Sequence, residues 1–280
     1  MAALLSKFPL KERLLLSYYH YLQRLQQKVP KALRRSYDLV RDLQRQNCGV
    51  SIKDGQIQFT SEINGQDRTF ELDLYSSDPG IFKQVFLEAE YHALVKLCQN
   101  AGFSPERMID AGANIGLVSI YLTAFFPNME VVALEPNARN RSLLKHHLTR
   151  NKLTNVKVKP VGLWSHATQL CADDTFRGGQ DASFRLREAQ SGEKGTLETK
   201  DIAAIMKEQA WPQIDFLKID IEGGETAVFG PKANLNWLTK TRMLAIEIHD
   251  EFNCRDHIEG LLRDYGFQLD HSGELTLAWQ

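Results

Sequence analysis

Leu10, Leu14, Tyr18, Leu22 and Leu25 recur at steps of three and four residues, the spacing that places side chains on one face of an α-helix. Pro30 interrupts this run, and Leu33, Tyr37 and Val40 open a second helical stretch that Asn47-Cys48-Gly49 stops. The pattern then changes to alternation. Val50 and Ile52 precede Asp54-Gly55, Ile57 and Phe59 follow it, Asn64-Gly65 makes the next turn, and Phe70, Leu72 and Leu74 alternate beyond. Asp-Gly and Asn-Gly between alternating apolar residues signal hairpins, so residues 50–75 are predicted to form an antiparallel meander. After the Asp78-Pro79-Gly80 turn, Phe82, Val85, Phe86, Ala89, Ala93, Leu94 and Leu97 mark a helix face that ends near Asn100-Ala101-Gly102.

From Arg107 the chain alternates strands with helices. Strands are predicted to end at Met108–Asp110 and to run over Val131–Leu134, Val156–Val161, Ile214–Ile219 and Met243–Ile248. Helices are expected up to Phe126, over about Ala138–Arg150 and around Asp256–Tyr265, and a last hairpin is expected at Ser272-Gly273. Such alternation implies an α/β fold whose mostly parallel, Rossmann-like sheet is covered by helices on both faces. Three regions follow: a helical extension over 1–49, a meander and helix over 50–103, and the α/β domain over 104–280. Residues 165–212 read as an irregular insertion with one helical patch near Ile202–Met206, long enough to act as a substrate loop. The first helices read as a cap on the main domain, with membrane-surface binding or dimerisation as the alternatives.

Composition narrows the function classes. The 280 residues are 43% hydrophobic and 25% charged, an ordinary globular balance. With 34 basic against 35 acidic side chains the formal charge is -1, so no global basic field exists to hold a nucleic acid. Cys48, Cys98, Cys171 and Cys254 lie far apart without a C-x-x-C pair, which argues against a disulfide scaffold and a local zinc site. No apolar run reaches the length of a membrane helix, and no leader pattern stands at the start, so a cytoplasmic protein is expected. The pattern leaves the oligomeric state open.

Met108-Ile109-Asp110-Ala111-Gly112-Ala113-Asn114-Ile115-Gly116 carries the sharpest chemistry. A strand runs into a glycine turn and a helix opens at once, which lets backbone approach a ligand at the carboxyl edge of the sheet. A dinucleotide wants G-x-G-x-x-G, a spacing absent here. S-adenosylmethionine brings an ammonium and a carboxylate instead, and Asp110 would repel a pyrophosphate while favouring the ammonium. Glu135 ends the second strand, where a carboxylate can accept two hydrogen bonds from a ribose diol. Pro136 and Asn137 shape the turn at the adenosine edge, and Gly162, ahead of Leu163-Trp164-Ser165, allows an adenine to approach or merely permits a turn.

A second cluster is Lys218-Ile219-Asp220-Ile221-Glu222-Gly223-Gly224-Glu225. Asp220 leaves the fourth strand beside the first and should face the reactive end of the ligand. Glu225 reads as complementing a helix dipole. Glu247 and His249 share a strand face. Arg177, Arg185 and Arg187 in the insertion hint at an anionic acceptor, whereas His146 and His147 read as solvated on a surface helix.

Four segments in order, I-D-A-G-A-N-I-G (109–116), L-E-P-N (134–137), D-F-L-K-I-D-I-E-G-G-E (215–225) and I-E-I-H (246–249), resemble the FkbM family of S-adenosylmethionine-dependent methyltransferases. The upstream D-P-G-I-F-K-Q-V-F-L-E-A-E-Y (78–91) extends the resemblance over about 200 residues, while Glu198-Thr199-Lys200-Asp201-Ile202 follows the family only loosely. The resemblance implies a class I sheet of seven strands with the last antiparallel. It implies S-adenosylmethionine as methyl donor, S-adenosylhomocysteine as product, and a hydroxyl on a sugar, glycan, lipid or secondary metabolite as acceptor. Asp110, Gly112, Ala113, Asn114 and Gly116 would then surround the methionine portion and Glu135 the ribose. Glu90 and Tyr91 would close over the cofactor, and Asp220, Glu222 and His249 would fall on the active-site edge.

The sulfonium activates its own methyl group, so the protein aligns the acceptor and helps remove its proton. His249 is the leading base, because an ordinary imidazole titrates near pH 6.5; Glu222 is second. No metal is assigned, although a rival arrangement places Asp220, Glu222, Glu247 and His249 around one divalent ion. Two other classes share parts of the pattern: a nicotinamide-dependent oxidoreductase, and a catalytically silent S-adenosylmethionine-binding protein. A nucleic-acid amino-methyltransferase would favour an N/D-P-P-Y motif where this chain has D-I-E-G.

Overall fold

The computed structural model describes residues 5–17, 30–172, 186–190, 192–194 and 196–280. They divide into two compact units, residues 1–89 with 149–152, and residues 90–148 with 153–280.

The first unit holds helices α1 (Leu10–Ser17) and α2 (Lys31–Arg45) and strands β1 (Val50–Lys53), β2 (Gln56–Ile63) and β3 (Gln66–Asp73). The strands pair antiparallel in chain order. Asp54, Gly55, Asn64 and Gly65 all take positive φ, the requirement of the two-residue turns that match strand twist. Phe59, Phe70, Phe82 and Phe86 pack ring on ring with centroids 4.4 to 5.4 Å apart. Residues 149–152 join this unit because Asn151 pairs with Thr69, accepting its N–H at 2.8 Å and donating to its carbonyl at 2.9 Å.

Two helical expectations change here. On α1 Glu12 and Leu16 are buried, as is Phe8 before it, while Leu10 and Leu14 are 72% and 57% exposed. The face predicted from leucine spacing is therefore the outer one; Tyr18, Leu22 and Leu25 lie outside the described residues. The single helix face from Phe82 to Leu97 is broken. Helix α3 (Asp78–Phe82) widens into a π-helical turn over Lys83–Leu87, and Ala89 takes φ +54°, which ends it. Helix α4 (His92–Asn100) starts afresh in the second unit.

The second unit is built on seven strands: β4 (Arg107–Ala111), β5 (Glu130–Leu134), β6 (Val156–Lys159), β11 (Ile214–Ile219), β12 (Thr241–Glu247), β13 (Gln268–Ser272) and β14 (Leu275–Trp279). Their order is β13-β14-β12-β11-β4-β5-β6. The five from β6 to β12 are parallel, and β14 runs antiparallel to both neighbours. All six residues of β11 are buried, as expected of a central strand covered on both faces. Helices α5 (Leu117–Phe125), α6 (Ala138–Arg150) and α8 (Arg255–Asp264) alternate with the strands in sequence. Strand β6 stops at Lys159 rather than Val161, because Pro160 has no N–H for the ladder.

The described parts of the stretch predicted to be irregular form structure of their own. Strands β7 (Gly162–Leu163), β8 (Gln169–Ala172), β9 (Leu186–Glu188) and β10 (Leu197–Lys200) make a second sheet in the order β7-β10-β8-β9. Helix α7 (Ile202–Gln209) follows, its first turn capped by the Asp201 carboxylate accepting from Ala204 N–H at 2.8 Å. Among the described residues no helix is long and apolar enough to cross a membrane.

Candidate active site

Because β4, β5, β11 and β12 run parallel, the turns that leave them converge on one edge of the sheet. The turn after β4 touches the end of β11. Gly112 has φ +76°, and a Cβ built there would sit 1.7 Å from the Asp220 carbonyl oxygen, so only glycine fits. Gly112 and Ala113 donate their N–H groups to Leu134 O at 3.1 and 3.0 Å, and Asp220 N–H donates to Ala111 O at 3.1 Å. Asn114 also takes positive φ, and its N–H donates to Glu135 Oε2 at 2.8 Å. Gly116, at φ +86°, precedes α5 and lies against Leu144. Below this turn His147 is fully buried with Nδ1 2.8 Å from Ile115 O, which corrects the expectation of a solvated side chain.

These turns enclose a cleft of about 470 Å³. Gly112, Asn114, Glu135, Pro136 and Asn137 line it, with Asp220, Ile221, Glu222 and Gly224. Gly162, Leu163 and Trp164 line it together with Leu170 and Leu197, two apolar residues of the small sheet that the sequence reading did not single out. Asn140 also lines it. Glu135 is 5% exposed, and its Oε1 accepts the Asn137 N–H at 2.7 Å. Burial raises its pKa against the two amides and Lys218, which favour the carboxylate. Each oxygen has two lone pairs, so the carboxylate retains acceptor capacity for a diol.

Asp110 does not line the cleft. It is fully buried behind the glycine turn, where Ser119 Oγ donates to Oδ2 at 2.6 Å and Lys218 Nζ stands 3.7 Å from Oδ1. Burial raises its pKa, offset in part by Lys218 and the Ser119 hydrogen bond. Lys218, to which the sequence reading gave no role, is itself buried and donates to Gly112 O at 2.8 Å, Ala111 O at 3.3 Å and Asp220 Oδ2 at 3.1 Å. Burial alone would lower its pKa, but Asp220 and Asp110 outweigh it and hold the ammonium. One cation thus ties the glycine turn to the end of β11. Ala113 is 4% exposed and, like Gly116, stands outside the cleft lining. Glu90 is also elsewhere: its Oε1 accepts Glu274 N–H at 3.0 Å and its carbonyl accepts from Ser272 Oγ at 2.9 Å.

The acidic and histidine residues do come together. His249 Nε2 is 3.4 Å from Glu222 Oε2 and 3.9 Å from Glu247 Oε1, and Nδ1 is 3.1 Å from Glu225 Oε1. Glu225, expected to serve a helix dipole, is fully buried; Oε1 also accepts Ile221 N–H at 3.3 Å, and Oε2 has no hydrogen-bond partner among the described residues. Hydrogen bonds to Glu222 and Glu225 push the His249 pKa up to about 11. Both contacts favour the imidazolium, at odds with the expectation of an ordinary imidazole base. Burial and neighbouring Asp220 push Glu247 up to about 8. Asp220, Glu222 and His249 each offer one potential ligand atom, all within 4.8 Å of one another. Arg187 is engaged by Glu193 at 2.6 and 2.9 Å, and Arg177 and Arg185 lie outside the described residues.

A model of the FkbM methyltransferase domain matches residues 110–269, more than half of the chain. The chain belongs to the FkbM methyltransferase family. Among its relatives, methyltransferase sdnD of Sordaria araneosa is 28% identical over 221 residues, covering 68% of this chain and 82% of the relative. The 31-O-demethyl-FK506 methyltransferase FkbM of Streptomyces tacrolimicus is 22% identical over 189 residues, covering 58% and 72%. The solved structure of a putative O-methyltransferase from Klebsiella pneumoniae is 12% identical, with a match that spans 94% of this chain and 96% of that one at a TM-score of 0.42.

As an FkbM protein with the class I strand order the chain is a methyltransferase, and this fold implies use of S-adenosylmethionine. The residues present fit that group. The positive-φ turn of Gly112 and Asn114 lines the cleft, a half-satisfied carboxylate at Glu135 faces it, and no G-x-G-x-x-G phosphate turn is present. Family membership sets aside the oxidoreductase alternative.

Proposed function

We propose that this FkbM protein methylates a hydroxyl group, on a sugar, glycan, lipid or secondary metabolite, and that the cleft between Gly112, Glu135 and Asp220 holds the methyl donor. The observation that carries the reading is the meeting of this cleft with the carboxylate–histidine edge through Asp220 and Glu222. S-adenosylmethionine, when bound, supplies the activated methyl group. Glu135 takes the ribose diol, Pro136 and Asn137 the adenosine edge, and Gly162 with Trp164 the adenine. Gly112 and Asn114 lie along the methionine portion, and Asp110 acts through the turn it underpins, together with Ala113 and Gly116.

At the acceptor edge the hydroxyl proton becomes strongly acidic only as the methyl–oxygen bond forms, so a carboxylate suffices to receive it. Asp220 and Glu222 are the receiving groups. His249, already protonated, fixes Glu222 and balances the charge of the edge. A divalent cation bridging Asp220, Glu222 and His249 is a second reading, favoured by the convergence of their ligand atoms within 4.8 Å. The test is transfer of labelled methyl from S-adenosylmethionine to a panel of hydroxyl, amine and thiol acceptors, with and without chelator. Labelled ether products support hydroxyl transfer; label only in amine or thiol products would refute it. Loss of turnover on chelation would move the proton-removal role to the cation.

A further inference from the structure

Helix α1 reverses the usual polarity of a surface helix, which buries an apolar stripe and exposes its charges. Glu12 is buried and its carboxylate accepts from the Tyr75 hydroxyl at 2.6 Å, while Leu10 and Leu14 face outward one turn apart. By helical spacing the two leucines lie opposite Glu12 and Leu16, with exposed Lys11 to one side of them and exposed Arg13 to the other. Tyr75, bonded to the same helix, is also exposed. One exposed leucine needs no explanation. Leu10, Leu14 and Tyr75, however, are the only large hydrophobic side chains exposed among the described residues, and all three belong to α1 or bond to it.

The charge of the chain is concentrated at the same place. Eight of its 34 basic residues, but one of its 35 acidic ones, fall within the first 35 positions, in a protein of formal charge -1. Lys7, Lys11 and Arg13 stand on or just before α1, and Lys31, Arg34 and Arg35 open α2. The two helices meet through Phe8 and Tyr37, with ring centroids 6.2 Å apart. Arg13 donates to Phe8 O and Ser6 O, both at 2.6 Å, so its contacts are neutral and its charge stays uncompensated. Of these six cations only Arg34 has an acidic partner among the described residues, Asp38 at 4.0 Å. Glu12, the one carboxylate of α1, is turned inward.

Three kinds of partner compete for such a face. A second copy in a two-fold contact would set the patch against itself, like charge on like. A nucleic acid would use the cations and leave the leucines in water. A bilayer with anionic headgroups takes both, because leucines enter the boundary between headgroups and acyl chains while the flanking lysine and arginine reach phosphates. We propose that α1, with the start of α2, docks this methyltransferase on an anionic membrane surface, through Leu10 and Leu14 flanked by Lys11 and Arg13. The contact is peripheral and reversible, since a helix of eight residues lies on a bilayer and cannot cross it. It depends neither on the acceptor nor on the cleft assigned to the methyl donor.

The experiment is flotation of the full chain with vesicles of phosphatidylcholine alone and of phosphatidylcholine mixed with phosphatidylserine, at low and at high salt. The mixed vesicles should bind the chain at least about tenfold more tightly, with the excess lost at high salt. Leu10→Gln combined with Leu14→Gln should weaken that binding at least about tenfold, and Lys11→Gln about fivefold, the scale of one basic residue at such a surface. All three positions are exposed, so each variant should keep the wild-type thermal midpoint, which certifies the fold. Absence of binding to mixed vesicles, equal binding to both kinds, or binding unchanged in the leucine variant would each overturn the proposal. So would a dimer that the leucine variant dissolves, seen by sedimentation equilibrium without vesicle binding, which assigns the face to a second copy. Tighter binding to an RNA oligonucleotide than to the vesicles would overturn it in favour of a nucleic acid.

Discussion

The cleft proposed for the methyl donor and the carboxylate–histidine edge beside it are made differently. The cleft is a backbone structure: Gly112 at positive φ against the Asp220 carbonyl, amides of Asn114 and Asn137 on Glu135, and main-chain oxygens of residues 111 and 112 held by Lys218. The acceptor edge is a side-chain structure, in which His249, Glu222, Glu225 and Glu247 hold one another and Arg255 holds Asp250. A backbone site presents the same groups whatever the neighbouring side chains are, which suits a ligand shared by a family. A side-chain site changes with each substitution, which suits an acceptor that differs among relatives.

That contrast can be broken by substitution. Gly112→Ala should have the largest effect, since the added Cβ meets backbone 1.7 Å away, and S-adenosylhomocysteine affinity should fall about 1,000-fold, roughly 4 kcal/mol. A variant that binds normally would mean the turn is not the cofactor cradle. On the other side, His249→Gln, which retains a donor for Glu225, should lower kcat about 100-fold, within the range of acid–base and orienting groups, and leave S-adenosylhomocysteine affinity within about twofold. Equal losses in both quantities would erase the distinction between the cleft and the edge. Glu135→Gln keeps the shape but weakens the acceptor, and about tenfold weaker S-adenosylhomocysteine binding is expected; calorimetry reads it directly.

The smallest effect is on stability. His249 is raised from 6.5 to about 11, so the folded chain holds a proton that the unfolded chain releases between those values. The stabilisation is complete below pH 6.5 and is lost as pH rises toward 11. The thermal midpoint of the wild type should therefore drop between pH 7 and 10 by a few degrees more than that of His249→Gln, on the scale of about 4 °C per kcal/mol or less for a chain of this size. Parallel pH profiles would refute the imidazolium assignment.

The same contrast explains what could be read from sequence. The turns of this cleft were legible because glycine spacing and strand-to-helix punctuation encode backbone geometry: Gly112, Asn114, Glu135, Pro136, Asn137 and Gly162 all line it. Strands β4, β5, β11 and β12 and helix α6 fall within two residues of their expected bounds, since buried parallel strands read as apolar runs. Interactions between side chains distant in sequence were not legible. Asp110 reads as a ligand residue by spacing yet is enclosed by Ser119 and Lys218, and His249 reads as a base until Glu222 and Glu225 are placed around it. Leu170 and Leu197 were missed because strands of four residues leave no period to detect. The face of α1 was inverted because leucine spacing alone ignores Phe8 and Leu16.

The most direct measurement is calorimetric titration of the purified chain with S-adenosylhomocysteine, with NAD in a parallel cell and Gly112→Ala as control. Micromolar binding of S-adenosylhomocysteine, silence with NAD and loss of the signal in the variant are the predicted results. Binding of NAD, or S-adenosylhomocysteine binding that survives Gly112→Ala unchanged, would contradict the assignment of this cleft to the methyl donor.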